Sequence, residues 1–227
     1  MLSIKSLTFP KRLQNISITI FSGQVTLLLG KSGSGKTSLL RCIAQLEKEY
    51  SGEINYQKQS LKNLSPQKRC QLIGFMSQSY DLFPHMTVFQ NCAQPLSKQK
   101  LFSNLEIKEQ VISMLKKFDI EFLSKRMPYQ LSGGQKQRVA LARTLLLNPS
   151  FILLDEPSSA LDPENTQILI QLIRESKQSG VGWIISTQDM EFAKKVLDQA
   201  YFLEEGRVAE CYSFPLPLNS KLKEFLG

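Results

Sequence analysis

The sequence predicts an α/β fold built on a mainly parallel sheet. Three short, mainly apolar runs, at 25–29, 151–154 and 181–186, have the length and composition of strands buried on both faces. Each run is followed by a stretch with helical character. Strands that alternate with helices form parallel sheets, because each helix returns the chain across the sheet and covers one of its faces.

The segment before the first buried run predicts a second, half-exposed sheet. Residues 15–21 alternate apolar and polar side chains, which is typical of a strand with one face in solvent. Residues 37–46 then indicate a helix, and residues 51–75 indicate short strands and turns. We therefore expect an N-terminal antiparallel β region beside the parallel sheet.

From about residue 80 the pattern becomes mainly helical, with prolines at positions 84, 95 and 128. Residues 106–118 carry apolar side chains at helical spacing. We expect a helical insertion over 80–135, between the core segments 1–79 and 136–227 of one domain that spans residues 1–227.

The second half of the chain returns to alternating strands and helices. A helix is expected from Gly134 to about Leu147, where Asn148 and Pro149 stop it. Residues 164–177 and 190–197 are the helices expected after the second and third buried strands.

The composition narrows the class of protein. A chain of 227 residues with 42% apolar content suits a globular domain, and its longest apolar runs are only a few residues, against the roughly 18 that a membrane span needs. No secretion signal is expected at the N-terminus, and four scattered cysteines favour a reduced, cytosolic protein without structural zinc.

The net charge of +8 is unevenly distributed along the chain. Residues 1–150 hold 21 Lys/Arg and 8 Asp/Glu, which suits either a polyanionic ligand or a solvated basic face.

The stretch after the first buried strand matches the phosphate-loop pattern G-x-x-x-x-G-K-[ST] at Gly30, Gly35, Lys36 and Thr37. Glycines let successive backbone N–H groups turn toward phosphate oxygens, and the following helix adds its positive N-terminus. In such loops the lysine reaches the β- and γ-phosphates and the threonine hydroxyl binds Mg²⁺. The predicted nucleotide-binding residues here are Gly30, Lys31, Ser32, Gly33, Ser34, Gly35, Lys36, Thr37 and Ser38.

Two carboxylates, Asp155 and Glu156, close the second buried strand. Buried carboxylates are costly unless they serve a cation or a reaction. Beside a phosphate loop, Asp155 is placed to hold Mg²⁺ through water, and Glu156 to orient or deprotonate an attacking water.

The segment Leu131-Ser132-Gly133-Gly134-Gln135 lies about a hundred residues after the phosphate loop and about twenty before Asp155. In this order and spacing the three motifs resemble the nucleotide-binding subunits of ATP-binding-cassette (ABC) transporters, over nearly the whole chain. The resemblance implies a P-loop ATPase core with a helical subdomain. It also implies that Ser132, Gly133, Gly134 and Gln135 contact the ATP held by the opposite subunit of a homodimer.

The same resemblance assigns roles to three further residues. Gln78 matches a glutamine that senses Mg²⁺ and water, and Asp162 matches the carboxylate of a loop that links the two sites of the dimer. Phe9 resembles the aromatic residue that stacks on adenine, although the loop after it is shorter than usual.

The stretches 75–78, 82–87 and 221–226 look like those of importers of polar amino acids. This resemblance implies ATP and Mg²⁺ as cofactors and two copies of the chain under integral membrane permease subunits, at the cytoplasmic face of the inner membrane. An extracytoplasmic protein would deliver the substrate. Two alternatives stay open: an ABC ATPase of another transporter type (methionine, lipoprotein or efflux) and a slow or regulatory ATP-binding subunit. DNA-repair ATPases share these motifs but carry long coiled coils that this chain lacks, so no nucleic-acid partner is expected.

The sequence departs from the family after the third buried strand, where Gln188 takes the place of the histidine that contacts the γ-phosphate in most members. A glutamine amide still donates to a phosphate oxygen but cannot become cationic. We expect Gln188 to support ATP binding with slower hydrolysis, the alternative being a tolerated replacement with normal turnover. The only histidine, His85, lies in the expected helical insertion.

Overall fold

The computed structural model describes residues 1–158 and 163–213. The strands are β1 (Leu2–Phe9), β2 (Leu13–Ile20), β3 (Val25–Leu29), β4 (Ser51–Tyr56), β5 (Gln59–Ser60), β6 (Ile73–Met76), β7 (Phe151–Asp155), β8 (Gly182–Ser186), β9 (Gln199–Glu204) and β10 (Arg207–Ser213). The helices are α1 (Lys36–Ile43), α2 (Pro66–Leu72), α3 (Val88–Gln99), α4 (Asn104–Lys117), α5 (Gly133–Leu145), α6 (Pro163–Gln178) and α7 (Met190–Val196). Short 3-10 turns lie at Leu61–Asn63, Glu121–Leu123 and Pro128–Gln130.

The central sheet has six strands in the order β10-β9-β3-β8-β7-β6. Neighbours from β9 to β6 are parallel, and β10 adds an antiparallel edge. Every residue of β3, β7 and β8 is buried, as expected for strands covered on both faces. The predicted α/β fold with a mainly parallel sheet is confirmed.

The N-terminal sheet is antiparallel, in the order β2-β1-β4-β5, which confirms the expected β region. Its apolar face and helix α1 pack on one side of the central sheet, where Leu28 of β3 meets Leu39 and Leu40 of α1 in a single cluster. The other side of the central sheet holds Leu27 of β3 together with side chains of α3 to α7. Successive residues of β3 thus serve opposite layers, because side chains alternate across a strand.

The helical stretch begins each of its main helices at a side-chain cap. Thr87 caps α3, Ser103 caps α4 and Ser132 caps α5, each paired with a Gln or Glu three residues later. Such reciprocal pairs satisfy N–H groups that a helix start leaves open. Helices α3 and α4 fall within the expected insertion at 80–135, while the division into subdomains itself stays a prediction.

Several boundaries differ from the expectation. Helix α1 ends at Ile43 rather than near residue 46, because Gln45 adopts a left-handed φ of 59°. Its side-chain amide donates to the Cys42 carbonyl (2.9 Å) and to the Tyr50 hydroxyl (2.7 Å), which fixes the turn. The sequence reasoning also missed α2, although Ser65 and Pro66 form an ordinary helix start.

No helix within the described ranges is long and apolar enough to cross a bilayer. The free cysteines divide into two buried ones, Cys42 and Cys92, and two exposed ones, Cys70 and Cys211.

Gly182→Ala should destabilise the central sheet. A Cβ at Gly182 would lie 2.6 Å from Cδ1 and Cε1 of the buried Phe151 ring and 2.8 Å from the Phe21 carbonyl oxygen. Overpacking of this kind costs roughly 1–3 kcal/mol in the free energy of unfolding. The measurement is urea denaturation beside Gly133→Ala, where the added Cβ would meet nothing within 4 Å. Equal stability of the two variants would contradict the packing described for Phe151.

Candidate active site

The phosphate loop joins the end of β3 to the start of α1. Gly35 precedes the helix with a φ of 105°, and a Cβ there would lie 2.7 Å from Cδ2 of Leu13 and 3.0 Å from the Arg12 carbonyl oxygen. Position 35 therefore requires glycine both for its backbone angle and for the close approach of the β1–β2 hairpin.

The start of α1 is open to an anion. In the part of the chain that the structure describes, no side chain caps this helix and no acidic residue lies in its first turn. The first N–H groups of a helix lack intrahelical acceptors and carry a partial positive charge. They are thus available to phosphate oxygens.

Lys36, the first residue of α1, is 5% exposed. Its Nζ donates to the carbonyl oxygens of Gly30 (2.7 Å) and Lys31 (3.0 Å), so the ammonium spans the loop. Burial lowers the pKa of Lys36, and the nearby carboxylates of Glu156 and Asp155 oppose this shift. A phosphate in the loop would give the buried cation a close counter-charge.

Asp155 ends β7 and is 3% exposed. Its Oδ1 accepts hydrogen bonds from the hydroxyls of Thr37 (3.2 Å) and Ser186 (2.5 Å). The carboxylate thereby joins β7 to α1 and to the end of β8. Sequence reasoning missed Ser186, whose signal was a polar residue closing an otherwise apolar strand.

Three predicted residues meet at the carboxyl ends of adjacent strands. Gln78 follows β6, Glu156 follows β7 and Gln188 follows β8. The Gln188 amide donates to Oε1 of Glu156 at 3.0 Å, and the Gln78 amide lies 3.4 Å from Oε2. Since β6, β7 and β8 are parallel neighbours, their carboxyl ends lie at one edge of the sheet, which brings the three side chains together.

The position of Glu156 is fixed by its backbone. It has a left-handed φ of 49°, and its N–H donates to the Ser186 carbonyl (3.0 Å) and hydroxyl (3.1 Å). A non-glycine residue in this region is uncommon and is often found at functional sites. The turn directs the Glu156 side chain into the cleft that the phosphate loop borders.

This cleft has a volume of about 590 Å³. Its lining residues are Lys11, Arg12, Gln14, Ser32, Gly33, Gly35, Lys36, Thr37, Ser38, Gln78, Glu156, Gln188, Glu205 and Gly206. Gly30, Lys31 and Ser34 belong to the loop but not to this lining. Asp155 is also outside the lining, and its carboxylate accepts a hydrogen bond from the lining residue Thr37. Much of the phosphate loop and the Gln78–Glu156–Gln188 group thus line one cavity.

One wall of the cleft was not expected from the sequence. It consists of Lys11, Arg12 and Gln14 from the β1–β2 hairpin and Glu205 and Gly206 from the β9–β10 turn. A hairpin pattern around Glu205-Gly206, with apolar residues on either side, was the signal available for the second of these turns.

Phe9 is not among the lining residues of this cleft. It is partly buried and packs against the core cluster shared by the N-terminal sheet and α1. Asp162 lies outside the described residues.

The segment Leu131–Gln135 starts helix α5. The Gln135 N–H donates to the Ser132 hydroxyl (3.3 Å) and the Ser132 N–H donates to Oε1 of Gln135 (3.0 Å). Ser132 and Gly133 are exposed, and none of residues 132–135 lines the cleft of its own chain.

A family model described as ABC transporter matches residues 13–159. The chain belongs to the ABC transporter family. The matched region includes the phosphate loop, the start of α5, Asp155 at the end of β7 and Glu156 directly after it. It therefore contains most of the residues that line the cleft, but not Lys11, Arg12, Gln188, Glu205 or Gly206.

Curated ABC relatives differ in the cargo that their names state. The glutamine transport ATP-binding protein of Geobacillus stearothermophilus is 38% identical over 95% of this chain and 91% of its own. The spermidine/putrescine import ATP-binding protein of Thermotoga maritima is 40% identical over 95% of this chain and 59% of its own.

A bacterial ABC transporter cassette solved as a dimer superposes with a TM-score of 0.87 at 30% identity, covering 94% of this chain and 98% of that one. The same cassette bound to ADP and phosphate after hydrolysis superposes with a TM-score of 0.83. The described loop, with its open helix start and buried lysine, fits the phosphates of such a nucleotide.

Lys36→Met should abolish nucleotide binding while the protein stays folded. The change removes two hydrogen bonds to loop carbonyls but also the burial of a cation, which lowers the pKa of Lys36, so we expect the protein without nucleotide to stay folded. ATP should raise the melting temperature of the wild-type protein by a few degrees through binding linkage, and this rise should vanish in the variant. Lys48→Met, an exposed lysine beyond α1, is the matched control. A rise retained in Lys36→Met would contradict the placement of the phosphates.

Proposed function

We propose that this chain is the ATP-hydrolysing subunit of an ABC importer and that its cargo is an amino acid. The observation that carries the proposal is the meeting of Gln78, Glu156 and Gln188 in one cleft with the phosphate loop. If the phosphates of a nucleotide occupy the loop, the Glu156 carboxylate would lie beside the terminal phosphate, which supports a role for it in hydrolysis.

The phosphate loop binds the β- and γ-phosphates through its backbone N–H groups, the start of α1 and Lys36. Ser32, Gly33 and Gly35 border the cleft at this end, and Ser38 lies one residue beyond Thr37.

The donor set around Asp155 fits Mg²⁺, which prefers hard oxygen ligands and keeps several of its waters. Thr37 supplies a hydroxyl and Asp155 a buried carboxylate that already shares a hydrogen bond with it. Gln78, which also lines the cleft, supplies an amide oxygen. When bound, the ion would neutralise charge on the phosphates.

Glu156 acts as the base that orients or deprotonates the attacking water. The amides of Gln78 and Gln188 each donate to one of its oxygens, so the carboxylate is held from both sides. When nucleotide binds, the Gln188 amide is close enough to the same region to donate to a phosphate oxygen instead.

Two copies act together, head to tail. Ser132 and Gly133 are exposed, lie at a helix start and take no part in their own cleft, which supports a role toward the nucleotide of a second copy. Gly134 and Gln135 continue this surface, and Asp162 would link the two sites. The superposed cassette was solved as a dimer.

The membrane subunits read the cargo, and this chain drives them from the cytoplasmic face of the inner membrane. Support for amino-acid import comes from the resemblance of residues 75–78, 82–87 and 221–226 and from the glutamine transport relative. An extracytoplasmic binding protein would deliver the amino acid. The polyamine relative, at similar identity, makes polyamine import the second candidate.

Glu156→Gln should lower steady-state ATP hydrolysis by about 10²-fold or more, because a neutral amide cannot accept the proton. ATP should still bind. The dimer of two copies with ATP between them should accumulate, because without hydrolysis the two copies do not separate. The measurements are phosphate release and size-exclusion chromatography with ATP. Glu109→Gln, an exposed acid on α4, is the control for loss of one negative charge.

Glu156→Gln also tests which class of substrate the transporter carries. Cells that carry Glu156→Gln as their only copy should lose uptake of radiolabelled glutamine or arginine and keep uptake of spermidine. The reverse pattern would select the polyamine alternative. Hydrolysis unchanged by Glu156→Gln would refute the assigned catalytic role.

Gln188→His should raise ATP turnover several-fold, since an imidazole with an unperturbed pKa of about 6.5 can carry a proton that an amide cannot. The gain should be larger near pH 6 than near pH 8, where the imidazole is neutral. The measurement is the pH profile of phosphate release at saturating ATP. Gln188→Ala controls for loss of the amide that donates to Glu156. Turnover unchanged or lowered in Gln188→His would contradict the expectation that Gln188 slows hydrolysis.

A further inference from the structure

The β1–β2 hairpin has a tight turn of three residues, Pro10, Lys11 and Arg12, between the paired Phe9 and Leu13. The Arg12 N–H donates to the Phe9 carbonyl at 3.1 Å, and Lys11 takes a left-handed φ of 60°. The turn is therefore closed by its own backbone, with little freedom to reorient the side chains on either side.

The hairpin is also fastened to the rest of the cleft. The Gln14 N–H donates to the Gly206 carbonyl (2.8 Å), and the Arg207 guanidinium donates twice to Oε1 of Gln14 (3.0 and 2.7 Å). The Arg12 carbonyl packs against both Gly35 and Gly206. The backbone of Arg12 thus lies directly against the phosphate loop.

With the turn held in this way, the side chains of Phe9 and Arg12 lie in different places. Phe9 packs against the core, whereas Arg12 is exposed and lines the cleft. Its Nη1 lies 3.5 Å from the hydroxyl of Ser38, which follows Thr37 in α1. Among the described residues no carboxylate forms an ion pair with Arg12, so its guanidinium plane is not committed to a salt bridge.

The cleft is lined both by the group of Gln78, Glu156 and Gln188 and by the β1–β2 hairpin. In the proposed function the terminal phosphate lies beside Glu156. A nucleotide whose phosphates occupy the loop must extend its nucleoside away from the Glu156 carboxylate. Arg12 beside Ser38 is the planar side chain on that wall.

We propose that Arg12, and not Phe9, provides the surface on which the nucleobase stacks. The guanidinium is planar and weakly hydrated, and it stacks on aromatic rings in a way that a lysine ammonium does not. Stacking of this kind is tolerant of base identity, because every base has a π-face. The site should therefore bind GTP nearly as well as ATP. This inference rests on the nucleotide binding proposed above.

The test compares equilibrium binding of ATP, GTP and inorganic tripolyphosphate to four variants by calorimetry. Arg12→Ala should weaken ATP and GTP binding by about tenfold or more, the size of one lost base stack, and leave tripolyphosphate within about twofold. Arg12→Lys keeps the charge and loses the plane, so it should be as weak as Arg12→Ala. Arg12→Phe restores a plane without charge and should recover most of the affinity.

Phe9→Leu, which keeps an apolar side chain against the core, should leave ATP affinity within about twofold. Thermal unfolding of each variant without ligand checks that it folds. If Arg12→Ala does not fold, Arg12→Lys still tests the stacking role. Equal losses for ATP and tripolyphosphate would place Arg12 on the phosphates and overturn the inference. A loss of ATP affinity in Phe9→Leu alone would return the stacking role to Phe9.

The outcomes also separate this inference from the function on which it rests. Wild-type protein that binds ATP, with Arg12 variants that bind it equally well, overturns the stacking role alone. Wild-type protein that binds neither ATP nor tripolyphosphate overturns nucleotide binding and the stacking role together.

Discussion

The hydrogen bonds to the buried Asp155 carboxylate hold together the part of the cleft that Thr37 and Glu156 line. Asp155 ends β7, Thr37 begins α1 and Ser186 ends β8, so one carboxylate connects three elements far apart in sequence. The Ser186 hydroxyl and carbonyl in turn fix the backbone of Glu156. A buried carboxylate is tolerated here because both hydroxyl donors satisfy it and the cation of Lys36 is near. The geometry of the site thus depends on the hydrogen bonds that Asp155 and Ser186 make with their neighbours.

The parts of this protein that could be predicted from the sequence are those with strong local patterns. The apolar runs of β3, β7 and β8 and the glycine loop after β3 each predict their structure from neighbouring residues alone. The same holds for the strand-end position of Glu156, since parallel strands align their carboxyl ends.

The hairpin wall of the cleft could not be predicted in this way. The position of Arg12 depends on backbone contacts to Gly35 and Gly206, which are distant in sequence and have no local pattern. Phe9 shows the converse problem: its residue type matches a stacking role, but a short turn places its ring on the core. Ser186 resembles any polar strand end until the fold brings it to Asp155.

The position of β3 also has a consequence for how the chain acquires its structure. Strand β3 carries the phosphate loop, yet its two neighbours in the sheet are β8 and β9, which end at Ser186 and Glu204. The loop is further fixed by the hydrogen bond from the Gly206 N–H to the Ser34 carbonyl. During synthesis, the phosphate loop therefore leaves the ribosome long before the strands that support it. Pairing over such separations requires both segments, so the phosphate loop can take this supported conformation only after residues up to Gly206 have been synthesised.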